Sequence, residues 1–331
     1  MNATINLEKK HFPVLLNELI SIISPLYGGT FIDCTFGQGG YSEKILENKQ
    51  NNIIALDRDK DVLSNTSKLQ KKYNKRFKFY NLKFSQLDQI KLKNHKIKGI
   101  IFDLGYSFNQ IKNSKKGLSF SDKGKLNMRM GINDFSANEI ISNMDENNLS
   151  RVFKVFGDEK YSKKIAKKIV EKRKDKIIKT EDLVQIIDNV KKYQKTKIHN
   201  STKVFQALRI LVNKEISELI NGLINAFNLI PIGGIIAVVS FHSIEDRIVK
   251  FFFKHYSEQR NSSRYLPETG VPERCFKLIN KKPILPSLSE IRQNPPSRSA
   301  KLRYGIKTND KCDFSEFREK FKNLVNIEGL R

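Results

Sequence analysis

Several things are scarce in this chain, and each scarcity removes a class of explanation. Only three cysteines occur in 331 residues, Cys34, Cys275 and Cys312, with no CxxC pair and no histidine at metal-ligand spacing. A zinc site is therefore excluded, no metal is expected, and the three read as free thiols of a reducing cytoplasm. Long apolar runs are missing as well. The longest, 229–241, is interrupted by Pro231, Gly233 and Gly234, so no membrane span is expected. The opening MNATINLEKKHF has no apolar h-region, which argues against a signal peptide. No internal repeat or low-complexity tract is apparent, and the absence of G-x-x-x-x-G-K-[ST] excludes a P-loop nucleotidase.

Acidic residues are also in short supply. Lys and Arg number 61 against 35 Asp and Glu, a formal charge of +26 that calls for a polyanionic partner. Nucleic acid suits it better than a membrane surface, because no basic amphipathic segment of the membrane-binding kind stands out. A lysine-rich coding bias would instead spread the same residues over every solvated face. The hydrophobic share of 39% is enough to fill a core, so a folded chain of one large domain or two is expected.

What the chain does have is organised around 30–42, TFIDCTFGQGGYS. A β-rich run ends in Asp33, a turn carries Gly37, Gly39 and Gly40, and helix-compatible sequence resumes at Ser42. Strand, glycine turn and helix let a small ligand lie against bare backbone at the carboxyl edge of a parallel sheet. A second strand, 52–56, ends in Asp57, about twenty residues on, where a carboxylate holds the ribose hydroxyls of a nucleoside. Further strands are expected at 76–81, followed by Phe84; at 99–102, ending in Asp103; and at 235–239, ending in Ser240. Strand ends on one edge of an open parallel sheet form a ligand crevice.

More than 120 residues separate the fourth and fifth strands, too many for one crossover helix. Ser136 with Glu139 forms a capping-box pattern, a lysine-rich amphipathic run follows Asp158, Thr180 starts another helix, and 204–229 keeps helical periodicity throughout. The expected organisation is α/β, with a first core part at 1–109, an inserted all-helical domain at 110–203 and a second core part at 204–331. Residues 151–203 hold seventeen Lys/Arg against seven Asp/Glu, and the row Lys160, Lys163, Lys164, Lys167, Lys168 suits a phosphate-tracking surface. A merely solvated helix face is the alternative for any one of these lysines.

The glycine pattern also discriminates among cofactors. In G-x-G-x-x-G the third glycine would fall at Ser42, which disfavours a dinucleotide. A nucleoside ligand without a pyrophosphate, S-adenosylmethionine, fits the loop, Asp57 and the fourth strand end together.

The chain resembles the ribosomal small-subunit RNA methyltransferase H family (MraW-type). The carrying stretches are HFPVLLNE from His11, DCTFGQGGYS from Asp33, ALDRD from Ala55, DLGYSFNQ from Asp103 and GLSFSDKGKLNMRM from Gly117. KVFQALRI from Lys203, SFHSIEDRIVK from Ser240 and NPPSRSAKLR from Asn294 complete the set, which spans nearly the whole chain in order. The resemblance implies a Rossmann-like class I S-adenosylmethionine-dependent methyltransferase sheet that N4-methylates a decoding-centre cytosine of 16S rRNA. Its implied partners are 16S rRNA and the small ribosomal subunit, with no membrane; a homodimer is left open. Its donor contacts fall on Gly39, Gly40 and Tyr41, on Asp57, Phe84, Asp103 and Gln110. Cys34 and Tyr41 stand where the family commonly has Gly and His, and Tyr106 and Phe108 where it has small residues. The last two occupy the place where the base arrives and are of a kind that stacks on it.

Transfer from a sulfonium to a cytosine amino nitrogen needs an in-line approach and acceptors for the departing proton. Asp103, Ser107 and Asn109 from one loop, with Ser240 and His242 from the facing one, are the candidates. A DNA amino-methyltransferase would carry (D/N/S)PP(Y/F) at the fourth strand end, where DLGY stands instead. A nucleic-acid scaffold that had lost catalysis has no reason to keep Asp33, Gly37, Gly39, Gly40, Asp57 and Asp103.

Overall fold

Side chains that alternate along each strand enter two separate cores. Phe31 and Ile53 join one, whereas their neighbours Ile32 and Ile54 join the other; the same split divides Ile100 from Ile101 and Ile236 from Ala237. Strands that are apolar on both faces need cover on both, and helices between parallel strands supply it. The computed structural model describes residues 13–92, 96–106, 110–111, 113–120, 124–133, 135–175, 177–191, 198–257 and 274–330. Its strands are β1 (Thr30–Asp33), β2 (Asn52–Leu56), β3 (Phe77–Tyr80), β4 (Ile97–Asp103), β5 (Ile235–Ser240), β6 (Phe276–Lys277) and β7 (Lys301–Lys307). They form one seven-stranded sheet in the order β3-β2-β1-β4-β5-β7-β6. The five from β3 to β5 are parallel, and β7 enters antiparallel between β5 and β6. A mostly parallel α/β sheet is what the sequence predicts.

Helices α1 (Leu16–Ile23), α2 (Gly40–Leu46) and α3 (Leu63–Tyr73) supply Leu19, Ile23, Ile45 and Leu69 to the core that holds Phe31. Apolar residues recur at helical spacing from His11, which lies outside the described residues, to Ile23, yet α1 starts only at Leu16, after Pro13 and a left-handed Leu15 (φ 54°). Pro fixes its own φ and disfavours helix just before it, so apolar spacing overstates this helix.

Between β4 and β5 come α4 (Ala137–Asn143), α5 (Glu146–Gly157), α6 (Ser162–Lys172), α7 (Thr180–Lys191), α8 (Thr202–Asn213) and α9 (Glu215–Leu229). The Ser136–Glu139 capping box starts α4 as the sequence indicates. The periodicity of 204–229 hides a break. Lys214 turns left-handed (φ 50°), while the Asn213 side chain accepts the Met130 N–H at 2.9 Å and donates to Met128 O at 2.9 Å. A one-residue break leaves the apolar spacing almost intact, so periodicity alone cannot reveal it. Phe153, Phe156 and Leu208 share one core with Ile32, Ile100 and Phe102 of the sheet.

The chain closes with α10 (Ser243–His255), β6, α11 (Leu288–Gln293), β7 and α12 (Ser315–Glu328). Cys275 and Cys312 are joined by a disulfide, with Cα atoms 6.1 Å apart; among the described residues only Cys34 is free, and it is buried. This corrects the expectation of three free thiols. The partners are 37 residues apart in sequence and meet only because the chain doubles back through β7, a proximity no local spacing encodes. No helix among the described residues is long and apolar enough to cross a membrane.

Candidate active site

A crevice opens at the carboxyl ends of β1, β2, β3 and β4, and the glycine turn forms its floor. The turn is held from three sides. Cys34 N–H donates to Ile101 O, Phe36 N–H to Leu56 O, both at 2.9 Å, and Gly37 N–H donates to Asp57 Oδ2 at 2.8 Å. Gly39 is left-handed (φ 81°), and a Cβ there would stand 2.7 Å from the Phe36 ring. A Cβ on Gly40 would collide with the Pro13 ring, so the segment before α1 packs down on α2 only over bare backbone. The Tyr41 hydroxyl donates to Val14 O on the same side.

The neighbouring strand ends bring carboxylates to the wall. Asp57 also accepts the Asp59 N–H at 2.8 Å, and burial raises its pKa to about 6. Phe84, at the exit of β3, meets Phe102 edge-on with centroids 5.5 Å apart. Asp103 donates its N–H to Thr35 Oγ1 at 2.6 Å, while its Oδ1 is buried without a hydrogen-bond partner. Burial, reinforced by the charges of Asp33 and Glu245, raises the Asp103 pKa well above the carboxylate range. Gln110 donates to Asp59 Oδ2 at 2.6 Å.

The first turn of α9 and the start of α10 form the opposite wall. Glu215 pairs with Arg209 (2.9 Å), whose guanidinium lies 4.8 Å from the centroid of the half-exposed Tyr106 ring. His242 sits between Glu245 (3.0 Å) and Glu215 (3.8 Å). Burial opposes its charged form, yet the two carboxylates raise its pKa to about 9. Donor atoms of Glu215, His242 and Glu245 all lie within 4.8 Å of one another, the spacing of a metal site. Arg209 completes two cations against two carboxylates, so the cluster is charge-balanced by its own side chains.

Comparison with known proteins agrees with this architecture. The MraW methylase family matches residues 8–308. This chain belongs to that family. A "Ribosomal RNA small subunit methyltransferase H" from Bartonella quintana is 40% identical to it over 98% of this chain and 98% of its own length. A protein of the same name from Rickettsia bellii is 42% identical over 90% of this chain and 98% of its own. Among solved structures, an rRNA methylase from Streptococcus thermophilus covers 90% of this chain and 99% of its own with 10% identity and a TM-score of 0.38, too distant to add to the assignment.

In this MraW family member, Gly37, Gly40, Tyr41, Asp57, Phe84, Asp103 and Gln110 all line the crevice. Four expected residues do not. Asp33 is fully buried beneath the turn, where it accepts from Ser42 Oγ at 2.6 Å and braces the loop from behind. Gly39 turns away; Ser240 is buried with its hydroxyl 3.4 Å from Lys301 O; His242 lies behind Glu245. Ser107 and Asn109, like Phe108, lie outside the described residues. Glu215, Glu218 and Glu245 were not picked out from the sequence. Acids in a helix's first turn read as ordinary complements to its dipole, and the concealed break at Lys214 hid that a first turn began there.

Proposed function

We propose that this protein transfers a methyl group from S-adenosylmethionine to the N4 of a decoding-centre cytosine in 16S rRNA, acting in the cytoplasm. One observation carries the reading. Among the described residues of the crevice, Asp57, Asp103 and Glu218 stand clear of the charge-balanced Glu215–Glu245–Arg209–His242 cluster and face two cations (Arg58, Lys83), so the recess has no cationic surplus within a chain whose formal charge is +26. A recess of that kind suits a cationic donor, while the basic exterior suits an RNA backbone. The small-subunit rRNA methyltransferases that it resembles at 40% and 42% identity support the choice of RNA.

The residues fit the donor. The bare turn at Gly37 and Gly40 admits its amino-acid end, and Asp57 has lone pairs left for ribose hydroxyls. When bound, the donor supplies a methyl group on positively charged sulfur. Asp103, its Oδ1 a buried acceptor without a partner, would accept an N–H of the incoming amino group, align its nitrogen and take up the proton that nitrogen loses on methylation, a proton its raised pKa suits it to hold. By sequence, Ser107 and Asn109 follow Asp103 closely and assist it. His242, held cationic by two carboxylates, positions Glu245 rather than taking the proton, and the Ser240 hydroxyl steadies the end of β5. Tyr106, supported by Arg209, offers a face on which a splayed base stacks.

The segment 110–203 serves as the recognition domain, between core parts 1–109 and 204–331. On α6, Lys163, Lys164, Lys167 and Lys168 are exposed while Ile165, Ala166 and Ile169 are buried, which turns the basic row outward. Mass-spectrometric mapping of small-subunit rRNA from cells with and without the protein tests the proposal. A single N4-methylcytosine in the decoding centre that disappears with the protein is expected; an unchanged map would refute it.

A further inference from the structure

One buried acid in the crevice is not used by that chemistry. Glu218, in the first turn of α9, is 8% exposed; its Oε1 lies 3.6 Å from Lys83 Nζ, and its Oε2 is buried with no hydrogen-bond partner. Arg58, tied to the end of the preceding helix, also lines the crevice. Its terminal nitrogens donate to Asn213 O (3.0 Å) and Ile132 O (3.1 Å), while its Nε is buried without a partner. An orphaned acceptor and an orphaned donor in one wall are costly unless a ligand satisfies both.

The place in the crevice identifies the ligand edge. Both residues line the crevice with Asp57, where β2 leads into Asp57 and Arg58 and β3 into Leu82, Lys83 and Phe84. The helix is pressed against Phe84 so closely that a Cβ on Gly222 would stand 2.5 Å from its ring. Phe84, Leu82 and Leu219 therefore bound an apolar slot fit for a flat ring, with Glu218 and Arg58 at its margin.

We propose that Glu218 and Arg58 read the Watson–Crick edge of the donor's adenine, Glu218 Oε2 accepting from the 6-amino group and Arg58 Nε donating to N1. This rests on the methyl-donor reading of the crevice and assigns base selectivity to it. A 6-oxo purine presents the reverse pattern, an acceptor at position 6 and an N–H at position 1, and leaves both protein groups opposed.

Calorimetric titration of the full chain with S-adenosylhomocysteine and with its 6-oxo analogue, S-inosylhomocysteine, tests this. The native protein is expected to prefer the adenine compound by roughly ten- to a hundredfold, the range for a charge-assisted hydrogen bond. In Glu218→Ala the preference falls to within about threefold, through weaker binding of the adenine compound. In Glu218→Gln it falls as well, because the amide turns to donate to a 6-oxo group. An unchanged preference in both variants, or none in the native protein, overturns the proposal while the donor site stands. No binding of S-adenosylhomocysteine at all overturns the donor reading itself.

Discussion

The sharpest consequence of the crevice concerns Asp57 and pH. Its carboxylate accepts two backbone N–H groups, Gly37 and Asp59, each at 2.8 Å, which leaves one lone pair on each oxygen for ribose hydroxyls. Burial raises its pKa from the ordinary carboxylate value to about 6. Below that pH the carboxyl takes up a proton and loses acceptor capacity; above it the carboxylate is ionised and binding is at full strength. Affinity for S-adenosylhomocysteine is therefore expected to be flat above neutrality and to fall by up to about tenfold per unit below pH 6. Asp57→Ala at pH 7.5 should lose about 1.5–3 kcal/mol, roughly a twelve- to 160-fold rise in Kd. More tellingly, the variant should lose most of the acid limb. Titration calorimetry from pH 5 to 8 on both proteins reads the two effects together, with circular dichroism checking that each stays folded. A variant that binds as tightly as the native protein at pH 7.5, or a native protein without a break near pH 6, would refute the ribose role; a smaller break left in the variant belongs to Asp33 beneath the turn, whose pKa burial also raises to about 6.

Two further outcomes follow from the same geometry. Asp103→Asn should slow single-turnover methyl transfer by roughly a hundredfold or more while changing donor affinity far less, since its unpaired oxygen serves the acceptor; equal losses in rate and affinity would make it a donor-binding group alone. Reversing the charge of Lys163, Lys164 and Lys167 together should weaken RNA binding and lower the slope of log affinity against log salt by up to about 3. An unaltered slope in filter-binding titrations would reduce these lysines to solvated surface.

The sheet was legible because both of its faces are covered. Phe31, Ile32, Ile53, Ile54, Ile100 and Ile101 make short apolar runs that end in Asp33, Asp57 and Asp103, and punctuated runs of that kind survive any change in the surrounding helices. The glycine turn was legible for a similar reason, since a left-handed Gly39 and a Cβ-free Gly40 are local requirements. What escaped depends on tertiary return. The break at Lys214 leaves periodicity undisturbed, and the disulfide unites segments with no common motif. Glu215, Glu218 and Glu245 reach the crevice only because α9 and α10 come back across the strand ends. Asp33 errs in the other direction. It ends its strand as Asp57 and Asp103 do, yet its carboxylate points into the loop, because Ser42 and the Thr35 N–H are there to receive it.

The left-handed residue at Lys214 joins two helices with different obligations. One, α8, packs on α5 among the helices of the lysine-bearing segment; the other, α9, presents Glu215 and Glu218 to the crevice. Were a polyanion on the lysine-bearing segment to shift this pair, thermodynamic reciprocity would require a ligand in the crevice to alter polyanion affinity by the same factor, in the same direction.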